Sequence, residues 1–309
     1  MQVRAIHYIY ILILAVVWGS SFTAVKVAID EFTPMQVAFV RVLIGAVIIT
    51  AVSIFGHLKL PKMAKSWAVL LLIAIFSNVV PFSLIGWAST ISDSSTVSIL
   101  MATSPIFALV FAHIFTEDDR FTLFKCISVA LGFSAVMVLA LPSGNLLDSS
   151  NLLAKFATLM AAMSYVIAGL LTRKLDEKIG ARSITSIVLV LSVLLLAPAA
   201  FLQGFSALDT YSNPSLFSLL YLGVFSTALA LLIRYSLILQ VGYTFVSYTG
   251  FLVPVFAVIF GALLLDEQLS MNAYIALLLV LLALAISRLN PQTFSSIVNL
   301  KRVNLKERK

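Results

Sequence analysis

The chain has 309 residues, 61% hydrophobic and 11% charged, with a formal net charge of +7. Soluble domains average roughly 45–50% apolar and about 25% charged residues, so this chain lacks both the polar surface that faces water and the charge that keeps a disordered chain open. Cys126 is the only cysteine, which excludes a disulfide-stapled module and any two-cysteine metal centre.

A bilayer core about 30 Å thick is crossed by about 20 apolar residues at 1.5 Å rise. Segments of that length fall near 6–29, 34–55, 66–88, 94–116, 121–141, 152–173, 182–203, 214–239, 243–265 and 270–289. The pattern predicts an all-α polytopic membrane protein with ten transmembrane helices and no soluble domain. The first run is longer than a signal-peptide core of about 7–15 residues and is read as a retained helix. The polar stretch 290–309 reads as a tail too short to fold alone.

The first span carries Trp18, Ser20 and, near its far end, Lys26, which either snorkels or pairs with Asp30 four residues on. Arg41 lies seven residues past Pro34, about 10 Å into the second span. It offers five donors to an anionic group, or it satisfies backbone carbonyls. The third span holds Ser77, Asn78 and Pro81; the fourth holds Ser98, Thr103, Pro105 and a lone histidine, His113. His113 reads as structural or as a proton relay, and it has no partner for a metal or haem pair, so no metal and no cofactor are expected. The sixth span has Ser164 and Tyr165, the eighth Ser226, Thr227 and Arg234, and the ninth Tyr248 and Pro254. Arg234, near the end of its span, reads as an interfacial anchor. Serine and threonine often bond their own helix, so they are weak candidates. Trp18, Ser20, Arg41, Asn78, Tyr165 and Tyr248 are the candidate substrate-binding residues. Pro81, Pro105 and Pro254 each remove a backbone donor inside a helical run, and are either hinges or static kinks.

An offset of 149 residues aligns the two halves without gaps. Phe76-Ser77 falls on Phe225-Ser226, Val97-Ser98 on Val246-Ser247, Pro105 on Pro254, and Glu117-Asp118 on Asp266-Glu267. Small residues also recur, Ala108 and Ala112 against Ala257 and Gly261, a spacing that lets helices approach closely in lipid. The predicted organisation is two inverted five-helix repeats, 6–141 and 150–289, with the tail 290–309. An odd number of spans per repeat turns the second copy over, an architecture common in secondary transporters. Lys and Arg concentrate in alternate loops and at the C-terminal end, which places both termini in the cytoplasm.

Trp18-Gly19-Ser20-Ser21-Phe22 followed by Lys26, the arginine at 41, and the two prolines each followed by a helix ending in an acidic pair resemble the EamA family of the drug/metabolite transporter superfamily. The resemblance covers about residues 6–289. It implies a ten-helix inner-membrane carrier, often one that exports amino acids or other small metabolites. The sequence departs from the usual family pattern at Thr116-Glu117-Asp118, at Leu265-Asp266-Glu267, and at Ser164, where the family often has tryptophan.

The expected function is secondary transport of a small metabolite, an amino acid or related compound, outward by alternating access. Other substrate classes, such as drugs or nucleoside and sugar metabolites, and a non-transporting membrane sensor are the alternatives. The expected partners are the small-molecule substrate, the lipid bilayer, and a proton or counter-substrate; a monomer can enclose a cavity by itself. Nucleic acid is not expected, as no basic patch is interleaved with aromatics. An ATP-driven pump is excluded for this chain alone by the absence of a phosphate-binding loop. An intramembrane enzyme would need paired acids or a Ser/His pair in the bilayer, and no acidic residue lies deep in any span.

Overall fold

A computed structural model describes residues 4–55, 60–115, 123–140, 149–172, 174–175, 179–207, 210–241, 246 and 249–287. The described residues form helices and no strand. In chain order these are α1 (Ala5–Ala28), α2 (Pro34–Phe55), α3 (Ala64–Ile91), α4 (Ser94–Met101), α5 (Ser104–Phe115), α6 (Leu123–Ala140), α7 (Ser149–Thr172), α8 (Ala181–Leu202), α9 (Asn213–Val241), α10 (Thr249–Leu264) and α11 (Met271–Ser287). Six of them, α1, α2, α3, α7, α8 and α9, are long and apolar enough to cross a membrane. The others contain shorter apolar stretches.

Large apolar side chains such as Val47, Ile54, Leu194, Phe217 and Leu263 point outward, while Thr23, Ser77, Asn78, Ser128 and Thr185 are buried. This is the reverse of a water-soluble bundle and suits a hydrocarbon surround, where backbone polar groups must be satisfied within the helices.

The predicted fourth span is two helices, separated at Ala102 and Thr103. Pro105 has no N–H to return to the Met101 carbonyl four residues back. The Ser104 hydroxyl donates to that carbonyl instead, and the Thr103 hydroxyl donates to Leu100 O at 2.6 Å. Pro105 is therefore the second residue of a new helix, where a missing donor costs nothing. Pro254 does lie inside α10.

Two helices widen into π turns, α3 at Ile75–Val79 and α9 at Leu222–Leu229. Both occupy the same place under the 149-residue offset. In α3, Val80 N–H reaches back to Ile75 O and Pro81 follows directly; the wider turn removes the clash between a proline ring and the carbonyl four residues earlier. In α9 the corresponding residue is Ala230, so no proline causes the turn.

The main packing pairs are α6 with α11, α1 with α10, α2 with α8, α3 with α7, and α2 with the π turn of α9. Gly19 lets α1 and α10 touch: a Cβ there would stand 2.5 Å from Phe256 Cβ and 3.0 Å from Ala257 N. Ala257 is fully buried at this crossing.

One end of the bundle is stitched by polar contacts between connections. Lys26 Nζ, at the end of α1, donates to Ser89 O at 2.7 Å and Ser92 O at 3.2 Å, at the end of α3. It thus caps another helix's negative end, rather than answering Asp30. Glu267, after α10, accepts from Ser94 N at 2.8 Å, Ser95 N at 3.1 Å and Ser95 Oγ at 2.5 Å, capping the start of α4. The turn before it needs Asp266 at φ 52°, and it needs Gly261, whose Cβ would meet Glu267 Oε2 at 2.5 Å. Glu31 accepts from Ser212 N at 2.8 Å, and Gln36 donates to Gly204 O.

Burial alone would raise the Glu267 carboxyl, but the hydrogen bonds from Ser95 and Ser94 outweigh it and hold the pKa below the ordinary value. Its stabilising effect is present above the ordinary carboxylate pKa and is lost as pH falls through the depressed one. Asp93 has the opposite sign: burial first, then the Glu267 charge, raise it. Glu267→Gln is expected to lower the melting temperature in detergent at neutral pH by an amount equivalent to about 1–2 kcal/mol, with the difference from the parent shrinking in acid; an unchanged melting curve at neutral pH overturns the capping role. Gly19→Ala is expected to destabilise by about 1–3 kcal/mol despite alanine's better helix propensity, because backbone on α10 must move.

Candidate functional site

A cavity of about 170 Å³ opens between α1, α2, α3, α7, α9, α10 and the break between α4 and α5. It is bounded by Trp18, Ser21 and Phe22 from α1, Phe82 and Ile85 from α3, and Met101, Ala102 and Ser104 at the break. Thr249, Gly250 and Val253 close it from α10. The break matters: it puts Ser104, the first residue of α5, and hence the positive end of that helix, at the cavity wall.

Two arginines line this space. Arg41 is only 5% exposed and Arg234 only 7%. Arg41 Nη2 donates to Ser226 Oγ at 3.0 Å and Nε to Thr227 Oγ1 at 3.2 Å. Its guanidinium lies 3.9 Å over the centroid of the Phe82 ring. The π turn of α9 is what presents both hydroxyls to α2, and it leaves Ser226 O to accept from Trp18 Nε1 at 3.3 Å. Gly45 belongs to the same fit, since a Cβ there would stand 2.9 Å from Thr227 Cγ2. Arg234 makes no hydrogen bond or ion pair among the described residues; its guanidinium carbon lies 5.8 Å from the centroid of Tyr165 and 5.9 Å from that of Tyr235. Tyr165 stands within electrostatic reach of both arginines.

Of the six residues singled out from the sequence, the structure brings Trp18, Arg41 and Tyr165 together at this cavity. Ser20 is not at its wall: its hydroxyl pairs with Tyr221 at 2.5 Å and with Val16 O at 2.8 Å, joining α1 to α9. Asn78 is fully buried between α3 and α8, donating to Ser192 Oγ at 3.0 Å. Tyr248 and the Glu117-Asp118 pair lie outside the described residues, as does the His113 side chain. Pro81 is buried at the π turn, one residue before the cavity-lining Phe82. Arg234 was expected at the membrane interface and is instead buried at the cavity. Its position near the end of a span pointed outward; the signal that could have placed it was its unusual depth, seven residues before Val241 at the end of α9.

Six helices long and apolar enough to cross a membrane mark a multi-pass membrane protein. The chain belongs to the EamA-like transporter family, whose sequence model matches residues 5–141 and again 152–289. It is 24% identical to the uncharacterized transporter YoaV of Bacillus subtilis (strain 168) over 270 residues, 87% of this chain and 92% of that protein. It is 23% identical over 290 residues to the uncharacterized inner membrane transporter YedA of Escherichia coli (strain K12), 91% of this chain and 90% of that one. An uncharacterized transporter of Archaeoglobus fulgidus is 26% identical over 271 residues. A crystal structure of a protein 14% identical in sequence superposes with a TM-score of 0.66 over 93% of this chain and 97% of its own, a likeness of fold alone.

The pairing of Arg41 with the π turn carries a direct test. Ser226→Ala combined with Thr227→Val removes both hydroxyl acceptors from a buried cation, and the expected loss is about 2–3 kcal/mol, seen as a lower melting temperature in detergent. Ser20→Ala, which frees only Tyr221, is expected to lower it less.

Proposed function

We propose that the chain is a secondary carrier that moves a small metabolite bearing an anionic group, an amino acid or a related compound, outward across the inner membrane by alternating access. The observation that carries this reading is Arg41, a buried and charged side chain facing a cavity, with no acidic residue in any of the described helices. A buried charge in a membrane is a functional candidate because it is costly, roughly 2.5–3.5 kcal/mol at a helix centre on insertion scales. The outward direction and the amino-acid class come from the family resemblance.

Two inverted five-helix repeats, together crossing the membrane ten times, support the same reading. The family matches the chain twice, and the two π turns share the repeat offset. The packing pairs also exchange among themselves when the halves are swapped: α2 with α8 and α6 with α11 map onto themselves, and α3 with α7 maps onto α9 with α1. Both termini lie in the cytoplasm on the distribution of Lys and Arg. The stitched end, with its acids, then faces outward. The cavity is smaller than the roughly 300–1,000 Å³ pockets that enclose drug-sized ligands, which favours a compact metabolite over a drug.

The test is counterflow in proteoliposomes loaded with single amino acids, with and without a pH gradient. Saturable exchange that falls at least tenfold in Arg41→Gln is the expected result, and a response to the gradient identifies the proton as the coupling ion. Flux unaltered in folded Arg41→Gln removes Arg41 from the mechanism.

A further inference from the structure

Arg41 and Arg234 bring two positive charges to one cavity. None of the described helices contains an acidic residue, so none of them supplies a counter-charge. Arg41 has two neutral hydroxyls and an aromatic face; Arg234 has aromatic faces only among the described residues. An amino acid with one carboxylate and one ammonium would leave the cavity with its full excess charge. Its ammonium would find hydroxyls, carbonyls and aromatic faces but no carboxylate among the described lining residues.

The two arginines also approach the cavity from different levels along α9. Arg41 is held at Ser226 and Thr227, and Arg234 leaves α9 seven residues after Thr227, about 10 Å further along a helix axis. Tyr165 stands between their fields. A ligand with one anionic group pairs with one guanidinium; a ligand with an anionic group at each end pairs with both. Each bidentate guanidinium–carboxylate contact is a strong, directional hydrogen-bonded pair.

We infer that the cavity binds a compact dicarboxylate, one carboxylate on Arg41 and the other on Arg234, so that acidic amino acids and simple dicarboxylic acids are preferred over neutral amino acids. The inference deepens the carrier reading and rests on it for the direction of transport, but binding itself does not require transport.

The test uses the full chain in detergent. Trp18 lines the cavity while Trp67 is bonded to Pro61 O at 3.2 Å outside it, so Trp67→Phe with Trp87→Phe leaves Trp18 emission as a reporter of occupancy. Succinate, aspartate, alanine, inorganic phosphate and putrescine are titrated in turn. Succinate and aspartate are expected to bind at least tenfold more tightly than alanine or phosphate, and putrescine not at all. Arg234→Gln is expected to bring succinate down to the affinity of alanine, while Arg234→Lys retains part of the preference. Alanine binding as tightly as succinate, phosphate binding more tightly, no response to either dicarboxylate, or a folded Arg234→Gln with unchanged succinate affinity each overturns the assignment. If Arg234→Gln does not fold, the ligand series on the parent decides alone. Dicarboxylate binding without counterflow of any substrate sinks the carrier reading and leaves this one standing; amino-acid counterflow without dicarboxylate preference does the reverse.

Discussion

The burial of the Arg41 guanidinium is the constraint around which the centre of the molecule is organised. A charge in a low-dielectric interior must be hydrogen-bonded or it destabilises the fold by several kcal/mol. Here no acid answers it. The answer is assembled from three helices: Ser226 and Thr227 from α9, the face of Phe82 from α3, and close packing at Gly45 on α2 itself. An ordinary α-helical turn at 226 and 227 would direct these successive side chains 100° apart; the π turn, with more residues per turn, narrows that divergence and turns both toward one donor. A site made this way is polar enough to hold the arginine and weak enough to leave it available to an anion. A carboxylate partner would have neutralised it permanently.

The same economy explains why the two π turns share a place under the repeat offset while having different immediate causes. In α3 the turn is followed by Pro81, whose ring forbids the ordinary turn, and its buried Asn78 ties α3 to α8. In α9 there is no proline, and the hydroxyls at the equivalent place tie α9 to α2 through Arg41. The backbone feature is common to both halves; the chemistry hung on it is not. A carrier built from similar halves can thus keep a symmetric scaffold for motion and an asymmetric cavity for recognition.

Much of the scaffold was legible in the sequence, because hydropathy and helix length are local properties. Six of the predicted spans are helices long and apolar enough to cross a membrane, and shorter apolar helices stand at the places of the others, the fourth broken in two. What was not legible is where long-range partners intervene. The break before Pro105 depends on hydroxyls at 103 and 104 taking carbonyls that the helix gives up, a choice that an apolar pattern does not encode. Arg41 and Tyr165 could be singled out because charged and phenolic groups are rare and costly in a membrane. Ser20 and Asn78 were equally polar, but their partners, Tyr221 and Ser192, lie far away in sequence. Arg234 was misread because its rank from the helix end suggested an escape to the interface, whereas it lies at the cavity, 5.8 Å from the centroid of Tyr165.

The stitched end of the bundle sets a condition on any alternating motion. Lys26, Glu267 and Glu31 each bind backbone groups of another segment through charge-assisted hydrogen bonds, which are stronger than neutral ones. A transporter that visits a second state needs the two states within a few kcal/mol of each other. Opening this end therefore demands that a comparable set of bonds form elsewhere as these break; water alone would leave the half-buried Glu267 and the start of α4 only partly compensated. Under the 149-residue offset, Glu117-Asp118 occupies the sequence position that matches Asp266-Glu267. Where a matching set of bonds forms in the second state, the two states come close in energy, and a modest difference in how substrate binds each is sufficient to drive an exchange.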